Sequence, residues 1–259
     1  MAFPHKLEHF RAIDSTQRVV RGWLDAGEKE VCVAVADHQT AGRGRQGKEW
    51  VAPAGAALLL SAGFTPRGLL PRHAWRLGAI VALAMRDAAE EVAGLKDGTI
   101  WLKWPNDLVA AVDGRGVVKL AGVLGESVSS PRRVQSAVIG IGINGDWKPA
   151  DFPWLLAATM TSLRQLSGNR PIDRTALLDG FLARLEPRYE ALLAGNFDAA
   201  GWTATQITTG RQIVVDVGGE SLLGTGAGVD PDSGALLLDV SGGGQKVIDS
   251  GEVTRCRIT

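Results

Sequence analysis

A dense polar stretch, His38-Gln39-Thr40-Ala41-Gly42-Arg43-Gly44-Arg45-Gln46-Gly47-Lys48-Glu49-Trp50, follows directly on the apolar run Val31–Ala36. Its glycines allow positive φ and a close approach of backbone to a ligand. Successive N–H groups in such a loop form a concave anion site. Arg43 and Arg45 add planar, permanently charged forks that match carboxylate or phosphate, and Trp50 closes the stretch with a large flat apolar surface. The combination suits a small anionic ligand with a bulky apolar body. Gly-Arg mixtures also contact nucleic-acid phosphates. Here, however, the patch is small and the chain as a whole balances 28 basic against 28 acidic residues. The Gly-x4-Gly-Lys-Ser/Thr spacing of a phosphate-binding P-loop is absent.

A second group of reactive side chains lies at Lys103-Trp104-Pro105-Asn106-Asp107 and Lys119-Leu120-Ala121-Gly122. Taken singly, a strand lysine is an edge charge and an Asn-Asp pair is a turn. These lysines, however, are set among apolar strand residues, where an ammonium needs an anionic partner. Such a set supports attack by a carboxylate on a nucleotide α-phosphate. Lysine and arginine would neutralise the pentavalent charge, and Mg2+ would accompany the pyrophosphate.

The elements that must position these groups are legible in outline. Asp14-Ser15-Thr16 reads as a helix start running to Leu24, and the plainest reading of Ser15 and Thr16 by themselves is a cap. Val31–Ala36 and Ala56–Ser61 read as buried strands, so the Gly-Arg loop is expected to join two strands at a sheet edge. Leu77, Ile80, Val81, Ala84, Met85, Ala88 and Val92 form one face of a long helix that Gly94 ends. Ile100–Trp104 is a strand turning at Pro105-Asn106, which places Lys103, Asn106 and Asp107 at its end. Asp113–Gly116 is a hairpin turn, Lys119–Glu126 the returning strand and Val138–Asn144 another. Leu178, Phe181, Leu182, Leu185, Tyr189, Leu192 and Leu193 mark a second long helix, which Pro187 is expected to kink or split. From about Arg211 the pattern changes to short strands (213–217, 222–226, 235–240 and 253–258), a small all-β, barrel-like module.

At 259 residues, 45% apolar and 22% charged, the chain fits one large domain and one small one. Two cysteines give no disulfide framework and no metal-ligand spacing, which suits a reduced compartment. No stretch has a signal-peptide pattern or the length of a membrane span, so a cytoplasmic protein with no membrane partner is expected. Zero net charge argues against a nucleic-acid partner.

Taken together, Ser15-Thr16, Gln39–Trp50, Lys103–Leu108, Lys119–Gly122 and Gly140–Asn144 closely resemble the biotin protein ligases, in order and over almost the whole chain. The resemblance implies an α+β fold. A mixed, mainly antiparallel sheet with helices, of the class II synthetase-like type, would form a catalytic domain over residues 1–208. A small SH3-like β-barrel would follow over 209–259. It further implies an ATP-dependent ligase that converts biotin to biotinyl-5′-adenylate with release of pyrophosphate. The biotinyl group then passes to one lysine of a biotin carboxyl carrier protein. By resemblance, Ser15, Thr16, Gln17 and Gln39 surround the biotin ureido ring. Gly42, Arg43, Gly44, Arg45 and Trp50 form a cover over biotin and adenylate. Lys119, with Gly122 beside it, contacts carboxylate and α-phosphate, and Asp107 serves both half-reactions. Lys103, Asn106 and Asn144 contact the nucleotide, and Lys119, Asp107 and Arg43 are the catalytic set. No resident metal is implied beyond the Mg2+ that travels with ATP.

Two positions depart from the family pattern. Gln17 stands where Asn is usual, and Gly145-Asp146 follow Asn144 where Val-Asn is usual. Family members that repress transcription carry an N-terminal winged helix-turn-helix. Only fourteen residues precede Ser15, so neither repressor activity nor DNA binding is expected. Homodimerisation through a sheet edge is implied by the family alone. The rival expectations are a lipoate or octanoate ligase of the same superfamily and a non-catalytic biotin-sensing module. The Arg-Gly-Arg loop and Lys103–Asp107 speak against the first, and retention of Lys119 and Asp107 against the second.

Overall fold

The computed structural model describes residues 3–257. Its strands are β1 (Lys6–Phe10), β2 (Cys32–Ala36), β3 (Ala57–Phe64), β4 (Ile100–Lys103), β5 (Asp107–Val112), β6 (Gly116–Ser129), β7 (Val134–Asn144), β8 (Gln212–Val217), β9 (Glu220–Val229), β10 (Leu236–Val240), β11 (Gly244–Ile248) and β12 (Glu252–Cys256). The helices are α1 (Thr16–Asp25), α2 (Trp75–Val92), α3 (Trp154–Ala157), α4 (Leu163–Leu166), α5 (Arg174–Leu193) and α6 (Ala199–Ala204). Seven strands pair in the order β1-β2-β3-β7-β6-β5-β4, all antiparallel except the β1–β2 pair. The other five form an antiparallel sheet ordered β11-β10-β9-β8-β12. The architecture is the expected α+β one, with a second sheet that fits a small SH3-like unit. Ile258, the expected end of the last strand, lies outside the described residues.

One face of the large sheet is covered by α2 and α5. The face of α2 read from the sequence is buried through Leu77, Ile80, Val81, Ala84, Met85 and Ala88. Two such helices and the strands beneath them form a single core with Val33, Leu60, Phe64 and Phe181. Each of these large side chains contributes on the order of 1.5–3 kcal/mol by leaving water. On the opposite face α1 covers β2, β3 and β7, with Val20 packed against Cys32, Ala34 and Val138. The candidate site lies on the same face, between α1 and a smaller apolar cluster of Leu59, Trp147 and Phe152.

Three expectations need correction. The Gly-Arg loop does not join strands at a sheet edge, because β1 adds in parallel outside β2. That strand, Lys-Leu-Glu-His-Phe, has no strong apolar pattern and three of its residues are exposed. Nor does Pro187 split its helix, since α5 runs unbroken from Arg174 to Leu193. Phe181, Leu182 and Leu185 before the proline and Tyr189 and Leu192 after it are all buried. Their combined burial outweighs the ~3 kcal/mol that an interior proline costs. On the same helix Leu177 rather than Leu178 is fully buried, and Leu193 is exposed. The first turn of α1 supplies the third correction. Ser15 sits at the N-cap position but its side chain makes no capping hydrogen bond.

Candidate functional site

The floor of the site follows from strand register. Leu59 of β3 pairs with Gly142 of β7, Gly142 with Gly122 of β6, and Gly122 with Asp107 of β5. Paired residues share a face, so two glycines in the middle of this row leave a hollow that side chains would fill. Trp50 lies over it, and a Cβ on Gly142 would come within 2.5 Å of the indole Nε1. Only glycine permits this approach.

Lys119 and Gly122 are an odd number of residues apart, and on a regular strand they would face opposite sides. A bulge between β5 and β6 changes the register from Leu108 opposite Ala121 to Val109 opposite Lys119. The extra residue turns Lys119 onto the cavity face. Its Nζ then lies 2.7 Å from Asp107 Oδ1, and Lys103 Nζ lies 3.5 Å from Asp107 Oδ2. The Asp107 carboxylate is only 13% exposed and carries an ammonium on each oxygen. Backbone bonds from Lys119 N–H to the Thr159 carbonyl, and from Thr161 N–H to the Lys119 carbonyl, fix the bulge from outside. Beyond this cluster Asn106 Nδ2 donates to the Val123 carbonyl at 2.7 Å, which holds the Pro105-Asn106 turn against β6.

The other end of the cavity is uncharged. The Gln39 amide oxygen accepts from Thr16 N–H at 2.8 Å and from Thr16 Oγ1 at 3.1 Å. Thr16 Oγ1 is also 2.8 Å from Ser61 Oγ. Ser15, Thr16 and Ser61 are all nearly inaccessible, at 2%, 3% and 0% exposure. A set of oriented donors and acceptors in an otherwise apolar pocket reads a small polar head group. The cap reading of Ser15 and Thr16 therefore fails. Gln17 Nε2 is committed to the Leu124 carbonyl at 3.2 Å, so this amide ties α1 to β6.

The Gly42–Trp50 segment forms the third wall. Gly42 packs on the Trp50 carbonyl, 2.4 Å from where a Cβ would stand, and its own carbonyl accepts from Trp50 N–H. Lys119 Nζ stands 5.5 Å from the centre of the Trp50 ring, within cation–π range. Arg45 donates to the Gly251 carbonyl at 3.3 Å, and Lys48 pairs with Glu252 at 2.8 Å. The Lys48 hydrogen bond holds the Glu252 carboxyl below its ordinary range. Lys103 reaches the Val253 carbonyl at 3.1 Å. The small sheet thus holds both the loop and one of the cluster's ammoniums.

These walls enclose about 580 Å3. Of the residues singled out from sequence, Ser15, Thr16, Gln17, Gln39, Arg43, Gly44, Arg45 and Trp50 line it, as do Lys103, Asn106, Asp107, Lys119 and Gly122. Gly42 does not, because its role is the packing just described. Asn144 does not either. It is fully buried, and its Nδ2 holds the Thr161 carbonyl at 2.9 Å, which anchors the segment over Lys119. Sequence reasoning missed Ser61, although a serine inside an apolar strand is a readable signal. It also missed Glu252, Val253 and Thr254, whose approach to the cavity depends on how the two sheets pack. Among the described residues no group of three or more His, Cys, Asp or Glu side chains is placed to hold a metal.

The sequence model of the Biotin/lipoate A/B protein ligase family matches residues 9–144. The biotin–[acetyl-CoA-carboxylase] ligase of Mycobacterium tuberculosis is 36% identical over 228 residues, 87% of this chain and 79% of that protein. The bifunctional ligase/repressor BirA of Bacillus subtilis is 32% identical over 237 residues, 91% of this chain and 70% of that one. Among solved structures, the biotin protein ligase of Aquifex aeolicus in complex with biotin and ATP superposes with a TM-score of 0.78 at 26% identity, covering 98% of this chain and 100% of that one. With its family motifs gathered on the walls of one cavity, the chain belongs to the Biotin/lipoate A/B protein ligase family.

Proposed function

We propose that the protein is a biotin–protein ligase. It activates biotin with Mg2+-ATP to biotinyl-5′-adenylate, releasing pyrophosphate, and transfers the biotinyl group to a lysine of a biotin carboxyl carrier protein. The observation that carries the reading is the division of one cavity into an uncharged end and a charged one. Thr16, Gln39 and Ser61 form the first, Lys103, Asp107 and Lys119 the second. Relatives named as biotin ligases support it.

Each role follows from position. Ser15, Thr16 and Gln39 present donors and acceptors to the cyclic urea of biotin. Its carboxylate, ionised at neutral pH, needs charge neutralisation more than a base when it attacks the α-phosphorus. Lys119 supplies that charge from the floor and Arg43 from the loop. Lys103 and Asn106 lie on the nucleotide side. In the second step the acceptor amine, with a free pKa of about 10.4, must lose a proton, and Asp107 accepts or orients it. Arg45 and Trp50 cover the adenylate and keep water from it. Mg2+ enters with the nucleotide as part of the substrate. We assign residues 1–208 to catalysis and 209–259 to the SH3-like unit. We also assign the protein to the cytoplasm, where the buried Cys32 thiol, pushed up to about 11 by desolvation, would stay reduced. Among the described residues, the stretch of β6 beyond Gly122 has no partner strand on its β5 side, an edge that suits a homodimer. A balanced charge of 28 against 28 gives no basis for an operator-binding role.

Pyrophosphate release from Mg2+-ATP, with biotin, lipoate and octanoate compared, tests the assignment. Release with biotin alone is expected. Release with lipoate or octanoate would move the protein to the sister activity. Biotin binding without release would make it a sensor.

A further inference from the structure

Lys119 lies past the end of its neighbouring strand. The last pair between β6 and β7 on that side is Ala121 with Ile143, and β7 stops at Asn144. The N–H and carbonyl of Lys119 are therefore taken up by the Thr159–Thr161 stretch that follows α3, through the two bonds already described. Where the ammonium points depends in turn on what holds that stretch. Asn144 anchors its far end through the Thr161 carbonyl. Burial contributes less at the near end. α3 turns Trp154 and Leu155 outward at 83% and 66% exposure, and the smaller apolar cluster covers Ala157 and Met160 only in part.

A guanidinium closes this near end. The turn between β5 and β6 is tight because Gly114 and Gly116 both take a φ of 72°. Arg115 between them is half-buried and reaches across to the stretch. Its Nη2 donates to the Ala157 carbonyl at 2.6 Å and also to the Met160 carbonyl. These oxygens lie at and just past the end of a single helical turn, where carbonyls have no partner within the helix and a cation is favoured. Arg115 and Lys119 thus grip the same stretch at two points. Arg115 itself is not among the residues that line the cavity.

We infer that Arg115 is a positioning residue for adenylate formation, an inference that rests on the ligase reading above. By pinning the Ala157 and Met160 carbonyls it holds the Thr159–Thr161 stretch against β6. That stretch keeps the bulge in place, with Lys119 turned toward the α-phosphate. Charge stabilises a transition state most where it is fixed in advance, and a misplacement of about 1 Å costs on the order of 10²-fold even when its source lies away from the chemistry. The uncharged end of the cavity is built from α1, β3 and Gln39, so biotin recognition does not depend on the latch.

A double-mutant cycle separates this role from a general structural one. Full-length Arg115→Ala, Lys119→Ala and the double variant are assayed with biotin and Mg2+-ATP in single turnover, with biotin binding measured beside them. Arg115→Ala is expected to slow adenylate formation about 10²-fold while biotin affinity stays within about twofold of wild type. In the Lys119→Ala background the same change should cost less than about threefold, because the charge it positions is already gone. Arg115→Lys keeps the cation with a shorter reach and so only part of the latch. A loss of about tenfold that vanishes in Lys119→Ala is expected of it, and it decides the matter should Arg115→Ala not fold. A folded Arg115 variant with the wild-type rate, an equal loss in both backgrounds, or biotin binding that falls in step with the rate would overturn the latch. No pyrophosphate release from the wild-type protein would overturn the ligase reading instead.

Discussion

The walls of the central cavity are built in two ways. Floor and far wall are strand-borne: Asp107, Lys119, Gly122, Gly142 and Ser61 sit in a continuous ladder, with a bulge setting the one side chain that alternation would misplace. The cover is loop-borne. Gly42–Trp50 contains one short helical turn, with Gln46 and Gly47 at positive φ, and is tied down chiefly by its own backbone and by surface contacts to β12. Positions in a ladder hold charges in place before a ligand arrives, as electrostatic catalysis requires. A loop held by few contacts opens and closes at low cost. The contrast assigns bond making to the sheet and retention of the intermediate to the loop.

Substitutions on the two walls should therefore fail differently. Lys119→Ala removes the charge aimed at the α-phosphate, and adenylate formation is expected to fall by at least ~10³-fold. Biotin affinity should fall far less than that, because the uncharged end of the cavity is untouched. Normal pyrophosphate release from this variant would remove the strand-borne mechanism. Asp107→Asn keeps shape and loses the proton acceptor. Transfer to carrier should drop by roughly 10²–10⁴-fold, more than the first step does, as single-turnover measurement of each step would show. Equal losses would mean that Asp107 acts only by positioning Lys119.

Loop changes should be milder and of another kind. Trp50→Ala removes the indole over Gly142, about 1.4 kcal/mol of contact or a tenfold change. Pyrophosphate should then be released continuously without carrier as adenylate escapes, with the initial rate preserved. Glu252→Gln breaks only an exposed ion pair to Lys48, so adenylate lifetime should shorten less than about fivefold and lose sensitivity to salt. The same tie has a pH signature. Because the Glu252 carboxyl is held below its ordinary value of 4.5, its contribution is complete above that value. It disappears as pH falls through the lowered one. Faster escape of adenylate on acidification is expected in wild type and not in Glu252→Gln.

How far these features were legible follows the same division. Long-period patterns read well: the apolar face of α2 and the Pro105 turn lie where residue types place them, because burial and proline geometry act locally. The bulge at Leu120 was invisible. Lys119 and Gly122 could be given a shared role only by resemblance, since the sequence spacing alone puts them on opposite faces. β1 and β11 were missed because an edge strand needs little apolar character, and four of the five β11 residues are exposed. The roles of Ser15 and Thr16 were misjudged for a related reason. A cap and a buried polar wall use the same residue types, and only the partner 45 positions away, Ser61, separates them. Glu252 and Val253 carry no local signal at all, since their part in the site depends on the docking of two sheets.

The most direct test of the division is the time course of pyrophosphate release with biotin, Mg2+-ATP and no carrier, for wild type beside Trp50→Ala. Wild type should stall near one equivalent per site while the variant runs on from the same initial rate. Continuous release from wild type, or a variant that loses the initial rate as well, would contradict the assignment of chemistry to the sheet and retention to the loop.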